Sequence, residues 1–130
     1  MSAQPAVVPY LLCSDVAAEA EWLAKAFGFT VRHQATDETG RVTHAELETG
    51  GGGVVMLGDP GPDYRNPAAV GHATQLQLVT VADVDQHYAT AVAEGARVVA
   101  ELTGRDYGRS YGAEDREGHQ WYFVAGSPPS

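Results

Sequence analysis

The sequence predicts an α+β domain built from two copies of a βαβββ unit, with a ligand cleft formed between strands, and three observations predict it. The first is a repeat. Ser14-Asp15-Val16 leads through a helix to Gly28 and an apolar strand at Phe29, and Ala82-Asp83-Val84 leads the same way to Gly95 and a strand at Val98. Each half reads as strand, Asp-Val helix start, helix, glycine stop and three further strands, and self-similarity at half the chain length marks a duplicated unit. The second is the segment Asp59 to Gly71, which holds Pro60, Gly61, Pro62, Asn66 and Pro67 and sits near mid-chain as a linker. The third is size: a chain of 130 residues fits one domain that needs neither disulfide nor metal to fold. The expected layout is therefore a single domain over 1–130, with module one at 6–58, a linker at 59–72 and module two at 73–125.

The elements follow in order. Residues 6–13 are apolar enough for a strand, with Pro9 marking an edge or a bulge. Ser14 or Asp15 offers a helix N-cap, and Glu19 or Glu21 places negative charge near the first turn, where the helix dipole favours it. Ala18, Trp22, Leu23, Ala26 and Phe27 recur at helical spacing, and Gly28 stops the helix. Phe29 to Gln34 reads as a strand, Asp37-Glu38-Thr39-Gly40 as a turn, Arg41 to Glu48 as an alternating strand and Val54 to Leu57 as a short buried one. In the second half Thr74 to Val81 is a strand. A helix opens at Asp83, with Val84, Tyr88, Ala91 and Val92 on one side and His87 read as exposed. Strands follow at Arg97 to Ala100, Tyr107 to Ala113 and His119 to Val124. The tail Gly126-Ser127-Pro128-Pro129-Ser130 is expected to fray.

Composition excludes several partners. The formal net charge is -9 and no basic patch is visible, so nucleic acid would be repelled, as would an anionic membrane surface. Excess acidity serves solubility first and favours a cationic ligand second. The apolar runs are too short to span a bilayer, and the start Met1-Ser2-Ala3-Gln4-Pro5 has no charged region followed by an apolar one, so no signal peptide is expected. The single cysteine, Cys13, fits a reducing cytoplasm and reads as an inert buried thiol. The run Gly50 to Gly53 lacks the helix start and Lys-Ser/Thr of a phosphate loop, and no Gly-x-Ser-x-Gly elbow occurs.

Several segments together carry a resemblance. They are Pro9-Tyr10-Leu11, Trp22-Leu23-Ala24-Lys25-Ala26-Phe27-Gly28-Phe29, Val55-Met56-Leu57-Gly58-Asp59, Val81-Ala82-Asp83-Val84-Asp85, Tyr107-Gly108-Arg109 and Asp115-Arg116-Glu117-Gly118-His119-Gln120-Trp121. In order and spacing the chain resembles the vicinal oxygen chelate superfamily of glyoxalase I, bleomycin-resistance proteins and extradiol dioxygenases, nearest its glyoxalase/bleomycin-resistance-like, PhnB-like branch. The last segment resembles the family's Asp-Pro-x-Gly-His-x-Trp turn, with Arg116 at the usual proline. The resemblance implies two βαβββ modules whose mixed sheets curl around a cleft, and a homodimer, in some members with modules swapped between chains. In many members it also implies a divalent metal held by His, Glu or Gln from the first and last strand of each module.

Carried over one at a time, those four positions fall on Val8, Met56, Leu76 and Tyr122. Divalent ions of this kind want carboxylate oxygen or imidazole nitrogen, so neither metal nor other cofactor is expected. His33, His44, His72, His87 and His119 are scattered. His119 reads as positional in its turn. His44 and Glu46 share one strand face, where they would suit an acid–base pair. The alternation instead reads as Val42, His44, Glu46 and Glu48 toward solvent, because Ala45 and Leu47 suit burial better.

Alternate residues on the same strands then line the cleft: Val8, Tyr10 and Leu12; Val54 and Met56; Leu76 and Leu78; Gln120, Tyr122 and Val124. Tyr107, Arg109 and Tyr111 alternate on the adjoining strand. Arg109 is open between gripping a carboxylate and pairing structurally with Asp106 or Glu114. The expected ligand-binding set is Tyr10, Leu12, Met56, Leu76, Leu78, Tyr107, Arg109 and Tyr122, apolar with phenols, which suits an aromatic or heterocyclic ligand. The expectation is a metal-free protein that binds and sequesters a drug-like or aromatic small molecule. The alternative is a lyase, isomerase or dioxygenase of the same superfamily.

Overall fold

A computed structural model of the chain describes residues 5–126. The start of the chain before Pro5 and the last four residues of the expected frayed tail lie outside the described residues. The elements in chain order are β1 (Tyr10–Leu12), α1 (Val16–Phe27), β2 (Thr30–Thr36), β3 (Val42–Gly50), β4 (Gly53–Gly58), α2 (Pro67–Val70), β5 (Leu76–Val81), α3 (Val84–Ala93), β6 (Arg97–Arg105), β7 (Gly108–Glu114) and β8 (Gln120–Ala125). The strands form two mixed four-stranded sheets of matching order, β1-β4-β3-β2 and β5-β8-β7-β6. In each, the first strand runs parallel to the fourth and the other pairs are antiparallel. Among the described residues, no strand of one sheet pairs with the other.

β1 is shorter than the sequence suggests. Pro9 has no N–H to give, so pairing starts from its carbonyl, which accepts from Met56 N at 2.9 Å. α1 starts where Asp15 accepts from Ala18 N and stops at Gly28, whose φ of 75° suits glycine. The Asp cap and glycine stop repeat loosely at α3, with Asp83 accepting from Gln86 N and Gly95 following the helix at φ 92°.

The core lies between the helices and one face of each sheet. Leu11, Ala45, Leu47, Val55 and Leu57 of the first sheet pack under α1, and Tyr111, Ala113, Trp121 and Phe123 of the second complete the same cluster. Phe27, at the end of α1, joins the halves: its ring stands 5.8 Å from Trp121 and 4.7 Å from Phe123. Trp22 Nε1 donates to Glu94 O at the end of α3. His87 corrects the reading of an exposed helix residue. Its Nε2–H donates to Phe27 O at 2.9 Å, and its Nδ1 accepts from the Tyr111 hydroxyl at 2.6 Å. Burial lowers its pKa, which favours this neutral tautomer.

The turn Asp115 to His119 fastens module two onto module one. Asp115 Oδ1 accepts from Glu117 N and His119 N, and its Oδ2 from Trp121 Nε1. Glu117, buried, then accepts from Ser14 N at 2.7 Å, Asp15 N at 2.8 Å and Asn66 Nδ2 at 2.8 Å. It thereby places a carboxylate at the N-terminus of α1. His119 donates to Leu12 O at 2.9 Å. Gly118, at φ 89°, lies so close to the linker that a Cβ there would stand 2.4 Å from Ala68 N. Glu19 corrects another expectation: it is no exposed partner of the helix dipole but is fully buried, and neither of its oxygens has a hydrogen-bond partner among the described residues. Burial first, and the carboxyl of Asp115 second, hold its pKa far above the usual carboxylate range, so it keeps its proton at neutral pH. Cys13 is likewise fully buried, and burial pushes its thiol pKa up, away from nucleophilic use.

Candidate ligand-binding face

Because strand side chains alternate, packing one face of each sheet on the helices leaves the other face outward. In the second sheet, Leu78, Tyr122 and Gly112 stand in direct register across β5, β8 and β7, with Leu76, Gln120 and Glu114 in the next row. Leu76, Leu78 and Tyr107 are large apolar or aromatic groups left 45%, 60% and 55% exposed. With Tyr122 they line a shallow cavity of about 370 Å³. Four of the expected ligand residues thus come together here.

Tyr10, Leu12 and Met56 lie on the corresponding face of the first sheet. Tyr10, Met56 and Glu46 are register partners, as are Leu12, Gly58 and His44. Tyr10 and Leu12 are exposed and Met56 is half-buried. His44 and Glu46 point away from the helix-packed core, as the alternation suggests, and that direction is the face carrying Tyr10 and Met56. The solvent-facing stripe and the candidate ligand face are therefore one surface. The Tyr10 hydroxyl is hydrogen bonded to His44 Nδ1 at 3.0 Å, with the rings 5.6 Å apart. Arg32 bridges Glu46 and Glu48, the latter at 3.0 Å.

Arg109 does not join the set. Its guanidinium grips Asp85 of α3, with Nη2 to Oδ1 at 2.7 Å, and neither Asp106 nor Glu114 is its partner. Tyr111, two residues on, is fully buried on the same helix-facing side. The cause is a change of phase. Tyr107 lies in the β6–β7 turn, and Gly108 adopts φ 126°, so the two-residue alternation read across it inverts.

The four metal positions of the resemblance can be tested against these surfaces. Met56, Leu76 and Tyr122 lie on the outward faces and Val8 precedes β1. Between them they offer one thioether and one phenol. The described residues hold no group of three or more His, Cys, Asp or Glu side chains arranged to take a metal ion. The donor set does not fit a divalent ion.

The profile of the Glyoxalase/Bleomycin resistance protein/Dioxygenase superfamily matches residues 5–123. The chain belongs to this superfamily. An uncharacterized protein of Mycobacterium bovis is 31% identical over 127 residues, covering 93% of this chain and 83% of its own. Among solved structures, TioX from Micromonospora sp. ML1 is 34% identical, with a TM-score of 0.77 over 95% of this chain and 98% of that one. TnmS3, an antibiotic binding protein from Streptomyces sp. CB03234, superimposes with a TM-score of 0.71 at 18% identity, covering 98% and 99% of the two chains. At that identity it shows the fold alone. No described helix is long and apolar enough to cross a membrane.

Sequence reasoning missed the glycines that shape these faces and the carboxyls that join the modules. A Cβ on Gly58 would stand 2.3 Å from the Tyr10 ring, and one on Gly112 would stand 2.6 Å from that of Tyr122. Glycine inside an otherwise good strand signals such a close approach. Glu19 carries no comparable signal, because a glutamate in a first helical turn reads as surface.

Proposed function

We propose that this superfamily member binds and sequesters an aromatic small molecule, without a metal, on the outward face of its second module. The carrying observation is the cluster Leu76, Leu78, Tyr107 and Tyr122: apolar, contiguous and uncovered within one chain. Ligand sites are apolar surfaces with few polar groups, and this cluster has that composition. TnmS3, an antibiotic binding protein, shares this fold, which is compatible with a small-molecule ligand. The first module's face, with Tyr10, Leu12 and Met56, completes the site from a second copy of the chain, since a single copy leaves both faces open. Equilibrium titration with a panel of aromatic and glycopeptide antibiotics tests the binding, and sedimentation of the protein alone tests the homodimer. No binding across the panel removes the first reading, and a monomer at all concentrations removes the second.

A second reading rests on the Tyr10–His44 hydrogen bond, which suits proton transfer in a lyase or isomerase. It predicts turnover that Tyr10→Phe abolishes while ligand affinity stays.

A further inference from the structure

We infer that Gly112 and Tyr122 form a stacking platform for a flat, conjugated ring system bearing no negative charge. The inference rests on reading this face as the ligand site and names the ligand's shape. Gly112 and Tyr122 are direct register partners. A Cβ on Gly112 would stand 2.6 Å from Cζ of Tyr122 and 2.8 Å from each Cε. A position beyond the ring's edge would bring it nearest the hydroxyl oxygen, so these distances put the glycine beneath the ring face. The ring lies down on the strand, and its other face looks outward.

The glycine is not there for its backbone, because Gly112 is not among the glycines at positive φ. What it supplies is space, and any larger residue lifts the ring. Module one has a glycine–tyrosine contact too, between other strands, and it differs. A Cβ on Gly58 would be 2.3 Å from Tyr10 Cε1, 2.6 Å from its hydroxyl and 2.8 Å from Cζ, which is an approach to the ring's edge. The Tyr10 hydroxyl is also already bonded to His44. Tyr122 has no such partner among the described residues.

An exposed ring face favours a second π system over an aliphatic group of equal area. Glu114 in the next row and the net charge of -9 disfavour an anion. Gly112 is thus a positioning residue that acts through Tyr122.

The test titrates proflavine, a flat tricyclic cation, and 1-adamantylamine, a rounded one, into the wild type, Gly112→Ala, Tyr122→Leu and the double variant. Each single substitution is expected to weaken proflavine by about tenfold or more, and to move adamantylamine by less than about twofold. The double variant is expected to bind proflavine no more weakly than Tyr122→Leu alone, because the glycine works only through the ring. If Gly112→Ala fails to fold, Tyr122→Leu carries the same comparison. Unchanged proflavine affinity in Tyr122→Leu overturns the platform and leaves the ligand face standing. A wild type that binds neither probe, or binds both equally, also overturns the platform, while the ligand face stands or falls with the antibiotic panel.

Discussion

The middle row of the first sheet's outward face reads Tyr10, Met56, Glu46 and His33, and that of the second reads Leu78, Tyr122 and Gly112. The strand order beneath them is the same. In the first, Glu46 is held by Arg32 and the tyrosine hydroxyl by His44, so its polar groups are largely satisfied from within. In the second, apolar side chains surround a ring whose hydroxyl is unpartnered among the described residues. The duplicated backbone fixes where side chains stand, not what they do. Both faces stay open, but the first ties down its polar groups from within and the second leaves a bare ring among apolar side chains.

Four substitutions break or sharpen that contrast. The contrast holds only for the faces if the modules share one core, and Phe27→Ala tests this most severely. It removes the ring between Trp121 and Phe123 and is expected to cost about 3–5 kcal/mol in urea unfolding. One cooperative transition should remain. A separate transition in the tryptophan fluorescence would show two cores instead.

Glu117→Ala deletes a device that only module two carries, since the β3–β4 turn of module one is Gly50 to Gly53 and has no side chains to offer. Leaving Ser14 N and Asp15 N without their acceptor is expected to cost about 2–4 kcal/mol by the same measurement.

Glu19→Gln is expected to stabilise. The unfolded chain releases this proton at the ordinary glutamate value of 4.5 while the folded chain retains it, so wild-type stability falls as pH rises from there through neutrality. The amide has no proton to lose, so the variant's stability relative to the wild type should rise by up to about 1.4 kcal/mol per pH unit above about pH 4.5, with little gain near about pH 4 and a clear gain near about pH 8. A constant difference across that range would mean that Glu19 is ionised in the fold.

Arg32→Ala is the mildest. Removing the bridge to Glu46 and Glu48 is expected to cost within about 1 kcal/mol, less at high salt, and to leave binding on the second module unchanged.

The architecture was legible because it is written redundantly. The repeat, the Asp caps, the glycine stops and the apolar alternation agree, and the outward residues of β1, β4, β5 and β8 follow from them. What was not legible depends on phase or on contacts distant in sequence. Arg109, open between a ligand grip and a structural pair, takes the structural pair with Asp85, because alternation does not carry through Tyr107 and Gly108, where the chain turns. His87 was read as exposed because its partners, Phe27 and Tyr111, lie in other elements. β6 runs on to Arg105, beyond the expected Ala100, because its pairing with β7 resumes after irregular register. The outward stripe of β3 was read correctly as a stripe. That it shares a surface with Tyr10 is a fact of the sheet, not of the strand.

The carboxylate cap on α1 has a consequence for the order in which the protein is made. Ser14 and Glu117 are separated by 103 positions. A ribosome that has released all of module one has exposed a helix whose first amides lack their acceptor, and whose last aromatic side chain lacks Trp121 and Phe123. The nascent first half therefore has no finished structure to hold. It matures only when the final hairpin emerges, so a truncation before β8 should leave protease-sensitive chain rather than an independent half-sized product.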